Sequence, residues 1–459
     1  MIVGSPSGDS LPRTPQRCSS TLRRSAGFVC NLVVAWFACA GCTSTETQSH
    51  GETIRIGASL PFTGNESAMG RNLEQAMLLA VDDINATGGI NGVPIELITR
   101  DSNSGSARGL NDILDLLYNE QVDYLIGPEE TELAKRIVED VRRLDVLNIL
   151  PGDAAPASNS SSTMGSWLRL SPTPFSIACG LGAHAISEGA QTANAIYSLE
   201  DYNTSLATDF RFHYKSFGGR LLSSVTIQSA QDSYQSAIGR VVASNADETL
   251  LIAYPAAAAE LITEWKIAGG RGKWYLSPLL RTEVFLLNIP YGALDGSFGL
   301  SPALSLRSEC QQLDGYAAGP IECSRANRRR FVNHFVQHSD GTRPFTAAHF
   351  YYDSVVLLAS ALQFAVATQG SIPGSKELHR IIRNLNQTTN EPGYWYDLPS
   401  AMKSLAAGHP VRYVGAAAEY EFNEFGVAQH RTFDSWTIRN NAFLEQGAYY
   451  ASCPDLGAM

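Results

Sequence analysis

Two hydrophobic periods alternate along this chain. From Ile54, apolar and polar residues first alternate, with Ile54 and Ile56 flanking Arg55. The period then lengthens: Leu73, Ala76, Met77, Ala80, Val81 and Ile84 fall at i, i+3, i+4, i+7, i+8 and i+11, which makes one buried stripe on a helix. Glu74, Asp82 and Asp83 sit off that stripe, and Gly88-Gly89 ends the helix because glycine enters the left-handed region without a Cβ clash. Ile95–Thr99 returns to strand. A helix marked by Leu110, Ile113, Leu114 and Leu117 follows, then strand Asp123–Ile126, a helix from about Thr131 to Leu144, and strand Val146–Leu150. A second set repeats the alternation: helices near 175–188, 203–217, 234–245 and 256–268, with strands Asn194–Ser198, Ser224–Gln228, Thr249–Ala253 and Trp274–Ser277. A long apolar helix spans about 346–368. Strand and helix alternating at this spacing predict an α/β fold of parallel sheets with right-handed crossovers, and ligands on such sheets bind beyond the carboxyl ends of the strands.

The two sets are separated by punctuation. Ser/Pro-rich text from Pro151 to Pro174 and the Gly-rich GALDGSFGLSPA at 292–303 read as crossings between lobes, with a further return near 425. Three crossings between two lobes, each a parallel sheet flanked by helices, predict a clamshell that hinges at the crossings. Lobe 1 is then 53–173 and 300–425, and lobe 2 is 174–299 and 426–459. The segment 386–412, with Trp395, reads as a long loop.

The amino terminus is of another kind. Residues 1–24 are rich in Ser, Pro and Arg, and the apolar run Ala26–Ala40 has the length of a secretory h-region rather than of a bilayer span. It ends in Cys39-Ala40-Gly41-Cys42, which resembles a bacterial lipobox with Cys39 where leucine is usual. Cys42 is then the lipid acceptor, 1–41 the signal peptide and 42–52 a tether, so the chain is expected to be an exported lipoprotein facing the periplasm or cell exterior. Export permits disulfides. Cys310 and Cys323 flank a turn-rich segment and are the expected pair, while Cys179 and Cys453 could pair or stay free.

The 459 residues are 44% hydrophobic, enough for two lobes, and carry a net charge of −11. Without residues 1–41 the chain has 30 basic against 44 acidic side chains. An acidic surface excludes nucleic-acid binding, which needs clustered cations to displace counterions. The one basic run, Arg328-Arg329-Arg330, is expected to be the solvated face of a helix.

The loop LPFTG (Leu60–Gly64), the helix end AVDDINATGGING and the strand VPIELITRDSNS resemble the start of the type I periplasmic binding proteins, in the leucine/isoleucine/valine-binding branch of ABC transporters. The helix around HFYYDSVVLLASAL and the hairpin GAAAEYEFNEFG, with Asn423 where the family has Asp, extend the likeness over most of Thr53 to Glu445. The resemblance implies a solute-binding protein that hands a small ligand to a permease and its ATPase. It also implies site residues. Thr63, Gly64 and Met69 form one wall. In the amino-acid binders two further first-lobe loops hold the ligand carboxylate with hydroxyls and amides. Here the first of them reads Gly127-Pro128-Glu129-Glu130-Thr131, and the second, Pro151 to Pro156, carries Gly152, Asp153 and Ala154. Tyr202 and Tyr254 match the second-lobe edge. The ammonium-holding carboxylate is missing from Pro278-Leu279-Leu280-Arg281, which puts Leu279 and Arg281 in its place. Acids on lobe 1 and Arg281 on lobe 2 imply a ligand other than an ordinary branched-chain amino acid, with a cationic or neutral polar group facing Glu130 and Asp153. Glutamates in a first helical turn also stabilise a helix by themselves, by a few tenths of a kcal/mol.

No enzyme motif stands out. The loose match from Gly180 to Ala185 lies within a predicted helix and follows no strand, so it is no dinucleotide fingerprint. His334 and His338 share a helical face without a sequence-adjacent carboxylate, which favours a surface pair over a metal site. No cofactor is expected. Two other functions fit the same fold: a ligand sensor acting through a receptor partner, and a degenerate lipoprotein that binds no small solute.

Overall fold

The structure is a computed structural model that describes residues 53–453 apart from 65–66, 153–164, 230, 304–319, 431 and 452. Cys42, Asp153, Ala154 and Cys310, singled out above, lie outside the described residues. The first five strands are β1 (Ile54–Leu60), β2 (Ile95–Asp101), β3 (Tyr124–Ile126), β4 (Leu147–Leu150) and β5 (Trp167–Arg169), and they form one parallel sheet in the order β2-β1-β3-β4-β5. Helices α1 (Ser67–Ala86), α2 (Ala107–Tyr118) and α3 (Thr131–Arg143) make the crossovers. Alternation along each strand sorts the side chains by face. Ile54, Ile56, Tyr124, Ile126, Leu147 and Ile149 pack with the α1 stripe, whereas Leu125 joins Ile113, Leu117 and Ile137 from α2 and α3 on the other face. Gly89 closes the α1 turn at φ +68, and a Cβ there would run into the Val93 carbonyl. Strand β5 lies inside the Ser/Pro-rich stretch expected to be a crossing, where its three residues do not stand out from the text around them.

The chain then builds a second sheet from α4 (Pro174–Ser187), β6 (Thr192–Ser198), α5 (Asp201–Ser216), β7 (Arg220–Ile227), α6 (Gln235–Ser244), β8 (Glu248–Ile252), α7 (Pro255–Ile267), β9 (Trp274–Leu276), α8 (Glu283–Leu287) and β10 (Phe298–Pro302). It returns to the first core with α9 (Pro320–His338), α10 (Thr346–Gln369), α11 (Ser375–Leu385), β11 (Glu391–Tyr394), α12 (Leu398–Ala406) and β12 (Val411–Val414). Last, β13 (Thr432–Arg439) and β14 (Ala442–Tyr450) join the second sheet as an antiparallel hairpin across Asn440-Asn441, both at positive φ. That sheet runs β14-β13-β10-β9-β8-β6-β7. Its two faces are covered separately, Leu251, Leu276 and Trp436 facing α6, α7 and α8, and Leu250, Ile252 and Tyr275 facing α4 and α5.

Two expectations change here, and one open pairing is settled. The Gly-rich text at 292–303 holds a strand of the second sheet, because β10 pairs with both β9 and β13. The segment 386–412 is not a loop: β11 and β12 pair in parallel around α12, and Trp395 is buried in the first core. The described disulfide joins Cys179 to Cys453, tying α4 to the chain after β14. Among the described residues α10 is the one helix long and apolar enough to cross a membrane, but it is enclosed by α1, α11 and α12 as the spine of the first core.

At the centre of α10, Asp353 is fully buried and accepts four hydrogen bonds. They come from the hydroxyls of Tyr413 and Tyr420, each at 2.7 Å, and from the amides of Ala416 at 2.7 Å and Ala417 at 2.8 Å. Burial still pushes its pKa up to about 6, against the pull of those donors. Gly415 is required beside it, since a Cβ there would overlap the carboxylate. Asp353→Ala strands four buried donors and is expected to cost about 3–5 kcal/mol of unfolding free energy. Urea denaturation of the variant against the parent chain measures it.

Candidate functional site

The strand orders place a reversal in each sheet, between β1 and β3 in the first and between β6 and β8 in the second. At such a switch point the connecting helices leave on opposite sides, and a crevice opens beyond the strand ends. The loops there are 61–64 after β1, 127–130 after β3, 199–200 after β6 and 253–254 after β8, with 151–152 after β4 and 277–282 after β9 beside them.

Thr63 and Gly64 are exposed at the tip of the first loop, and Met69 packs against the first core. The loop is shaped by Asp101, which the sequence did not single out. Its carboxylate accepts the Thr63 hydroxyl at 2.7 Å and the amides of Phe62 at 3.0 Å and Asn103 at 2.9 Å. Burial opposes its ionisation, yet these donors hold its pKa below the usual carboxylate range.

After β3, Gly127 takes φ +85 with the Ser59 carbonyl where a Cβ would stand, and Pro128 follows in a cis bond. Two glutamates come next and part ways. Glu130 is the residue before α3, but it does not cap the helix; its Oε1 accepts the Ser102 hydroxyl at 2.6 Å, turning it towards β2. Glu129 lies instead on Gly152 of the β4 loop, so closely that any Cβ at 152 would overlap its carboxyl group. The Gly152 carbonyl accepts the Ser171 hydroxyl. Thr131 opens α3.

On the second sheet, Tyr202 lies in the first turn of α5 and leans on the α4–α5 core, while Tyr254 precedes α7 and is exposed. Leu279 sits half-buried in a short 3₁₀ turn after β9. Arg281 is committed to other partners. Its guanidinium reaches Glu445 at 3.0 Å and Asp434 at 3.8 Å, and Arg328 from α9 binds the same two carboxylates, Asp434 at 2.7 Å. Burial raises the pKa of Asp434 against the pull of both arginines. Because Phe331 and Phe335 anchor α9 in the first core while β13 and β14 belong to the second sheet, these four charges bridge the two halves.

The basic run is therefore not a uniformly solvated face: Arg328 is in that bridge, and Arg330 stacks 4.0 Å over the Tyr396 ring. His334 does have a carboxylate neighbour, Asp83 at 2.8 Å, which also accepts the Tyr352 hydroxyl at 2.7 Å. Among the described residues no three such groups converge to hold a metal.

The passages between the halves run side by side. The amide of Arg169, ending β5, donates to the Gly426 carbonyl at 2.9 Å, and the amide of Ala428 donates back to the Arg169 carbonyl at 2.9 Å. One step on, His430 Nε2 is 2.6 Å from the Leu170 carbonyl, so the ring is a donor there. The Arg169 side chain is buried beneath, within reach of the Ser171 and Pro172 carbonyls at 3.4 and 3.3 Å.

A family profile described as "Periplasmic binding protein" matches residues 53–411. The chain belongs to that family. Among curated proteins, this periplasmic binding protein is 27% identical over 103 residues to a Leu/Ile/Val-binding protein homolog of Brucella abortus, a match covering 22% of this chain and 28% of that one. Among solved structures, it is similar to the branched-chain amino acid transporter substrate-binding protein LivJ of Streptococcus pneumoniae in complex with isoleucine. The TM-score is 0.64 at 19% identity, over 87% of this chain and 99% of that one. A solute-binding protein of an R. palustris ABC transporter, in complex with benzoate, gives 0.63 at 16% identity over 88% and 98%. Likeness at these identities is a likeness of fold, that of two lobes with helices flanking each sheet.

The His430 contact has a pH signature. Burial foremost, with Arg169 nearby, lowers its pKa to about 4 against the help of the Leu170 carbonyl. The unfolded chain therefore takes up the proton first as pH falls, so the stability this ring contributes is complete near neutrality and is lost between about pH 6.5 and 4. His430→Gln is expected to flatten that part of the pH–stability curve, measured by urea unfolding at intervals from pH 7 to 4.5.

Proposed function

We propose that this periplasmic binding protein is exported, anchored by lipid on Cys42, and captures a small polar solute between its lobes for delivery to the permease and ATPase of an ABC transporter. The observation that carries the reading is the pair of switch points, one in each sheet, each lined by short loops at strand carboxyl ends. The paired strands at Arg169–Leu170 and Gly426–His430, with the return after β10 as a third passage, serve as the hinge. Closure is driven by contacts the solute makes with both lobes at once.

Thr63, Gly64, Met69, Glu130, Thr131, Gly152, Asp153 and Ala154 supply the first-lobe wall in this reading. Tyr202, Tyr254 and Leu279 supply the second. Arg281 acts from behind it, because its guanidinium already holds Glu445 and Asp434. Asp101 joins the set as the residue that shapes the Thr63 loop.

Purification of the full chain under native conditions, followed by mass spectrometry of the released solute, is expected to find a bound small molecule. Adding that molecule to stripped protein should contract the particle in small-angle scattering. No co-purified solute, and no thermal shift across a broad metabolite panel, would overturn the reading.

A further inference from the structure

The two glutamates after β3 are neighbours in sequence and serve different ends. Glu130 turns back to the Ser102 hydroxyl, 2.6 Å away. Glu129 crosses to the next loop, and its carboxyl group lies where a Cβ of residue 152 would stand, so any larger residue there would collide with it. Gly152 is held from the far side, since its carbonyl accepts the hydroxyl of Ser171, itself buried.

The place matters. The ends of β3 and β4, next to the amino terminus of the 13-residue α3, form the part of the first wall best suited to an anion, because the helix dipole favours negative charge there. The chain has put its own carboxyl group into that space. A ligand carboxylate brought to the same spot would overlap Glu129 and meet a like charge. Shortening the obstacle at residue 152 cannot help, because that residue is already glycine.

We propose that Glu129 is the specificity-determining residue of the binding site: its carboxyl group fills the seat between the β3 and β4 loops, so the site takes solutes that present a hydrogen-bond donor there, an ammonium, amide or hydroxyl, and rejects carboxylates. The proposal rests on the solute-binding reading above. It is independent of Glu129's remaining partners, because the space is occupied whichever group neutralises the charge.

The test is calorimetry on the full chain and on Glu129→Gln and Glu129→Ser, with L-leucine, benzoate, L-leucinamide and benzamide as probes. Glu129→Ser, which opens the space, is expected to raise affinity for at least one carboxylate by about tenfold or more over the parent chain, and Glu129→Gln, which fills the same space, to gain less. Unchanged carboxylate affinity in both variants, including no binding by parent and variants alike, overturns the proposal. Where a variant fails to fold, the parent chain decides: a carboxylate bound at the strand ends in its natively purified state sinks the proposal, and a solute without one supports it. A bound carboxylate leaves the solute-binding reading standing, whereas an empty chain with no thermal shift removes that reading itself, so the two failures are distinguishable.

Discussion

A buried carboxylate with four donors around it holds the first lobe in register. Asp353 has no cation within its group of partners; two tyrosine hydroxyls and two consecutive amides do the work instead. An ion taken out of water is tolerable only when its lone pairs are filled, and here each oxygen accepts two bonds. The consequence is positional. Asp353 sits on the spine helix, and its donors sit on the last stretch of chain before the return to the second sheet. A neighbouring chain of bonds tightens the same junction: Trp395 Nε1 donates to Asn327 at 2.7 Å, and Asn327 donates to the Ala416 carbonyl at 3.0 Å. Helices α9 and α10, the α12 insertion and the 413–420 hairpin are thereby locked into one body.

From that body the chain runs straight into the passage towards the second sheet. Gly426, Ala428 and His430 lie 6 to 10 residues beyond Tyr420, and they pair with the outgoing strand at Arg169 and Leu170. Main-chain hydrogen bonds thus join the chain leaving the first sheet to the chain returning to the second. The charges of Arg281, Arg328, Asp434 and Glu445 form a second link between the same halves, mixed in sign and largely shielded from water. Ion pairs of this kind contribute little net stability once desolvation is counted, but they disfavour arrangements that separate them.

Electrostatics divides the first wall in a way composition does not show. Asp101, Glu129 and Glu130 all stand at strand ends, yet each is spoken for: Asp101 by the Thr63 loop, Glu130 by Ser102, Glu129 by its seat on Gly152. Which group each carboxylate meets is decided by the way it turns. The direction depends on the backbone around Gly127 and Pro128, and two adjacent glutamates look alike until that backbone is in place.

Hydrophobic period determined a great deal of this protein by itself. The α1 stripe, the alternation of strands and helices through 54–150 and 192–276, and the spine helix all follow from residues that are neighbours along the chain, where a helix or strand repeat leaves its mark. Strands β5 and β10, set in Ser/Pro-rich and Gly-rich text that reads as connection, and elements whose burial comes from distant partners, β11, β12 and α12, became visible only in the fold. The same holds for the site. The candidate loops were legible from their position after strands, and Tyr202 and Tyr254 were singled out by resemblance alone. The pairing of Cys179 with Cys453, the commitment of Arg281 to Glu445, the role of Asp101 and the divergence of Glu129 from Glu130 were not. Each joins residues far apart in sequence or turns on a side-chain direction, and only tertiary packing brings such groups within the few ångströms over which charge and hydrogen bonding act.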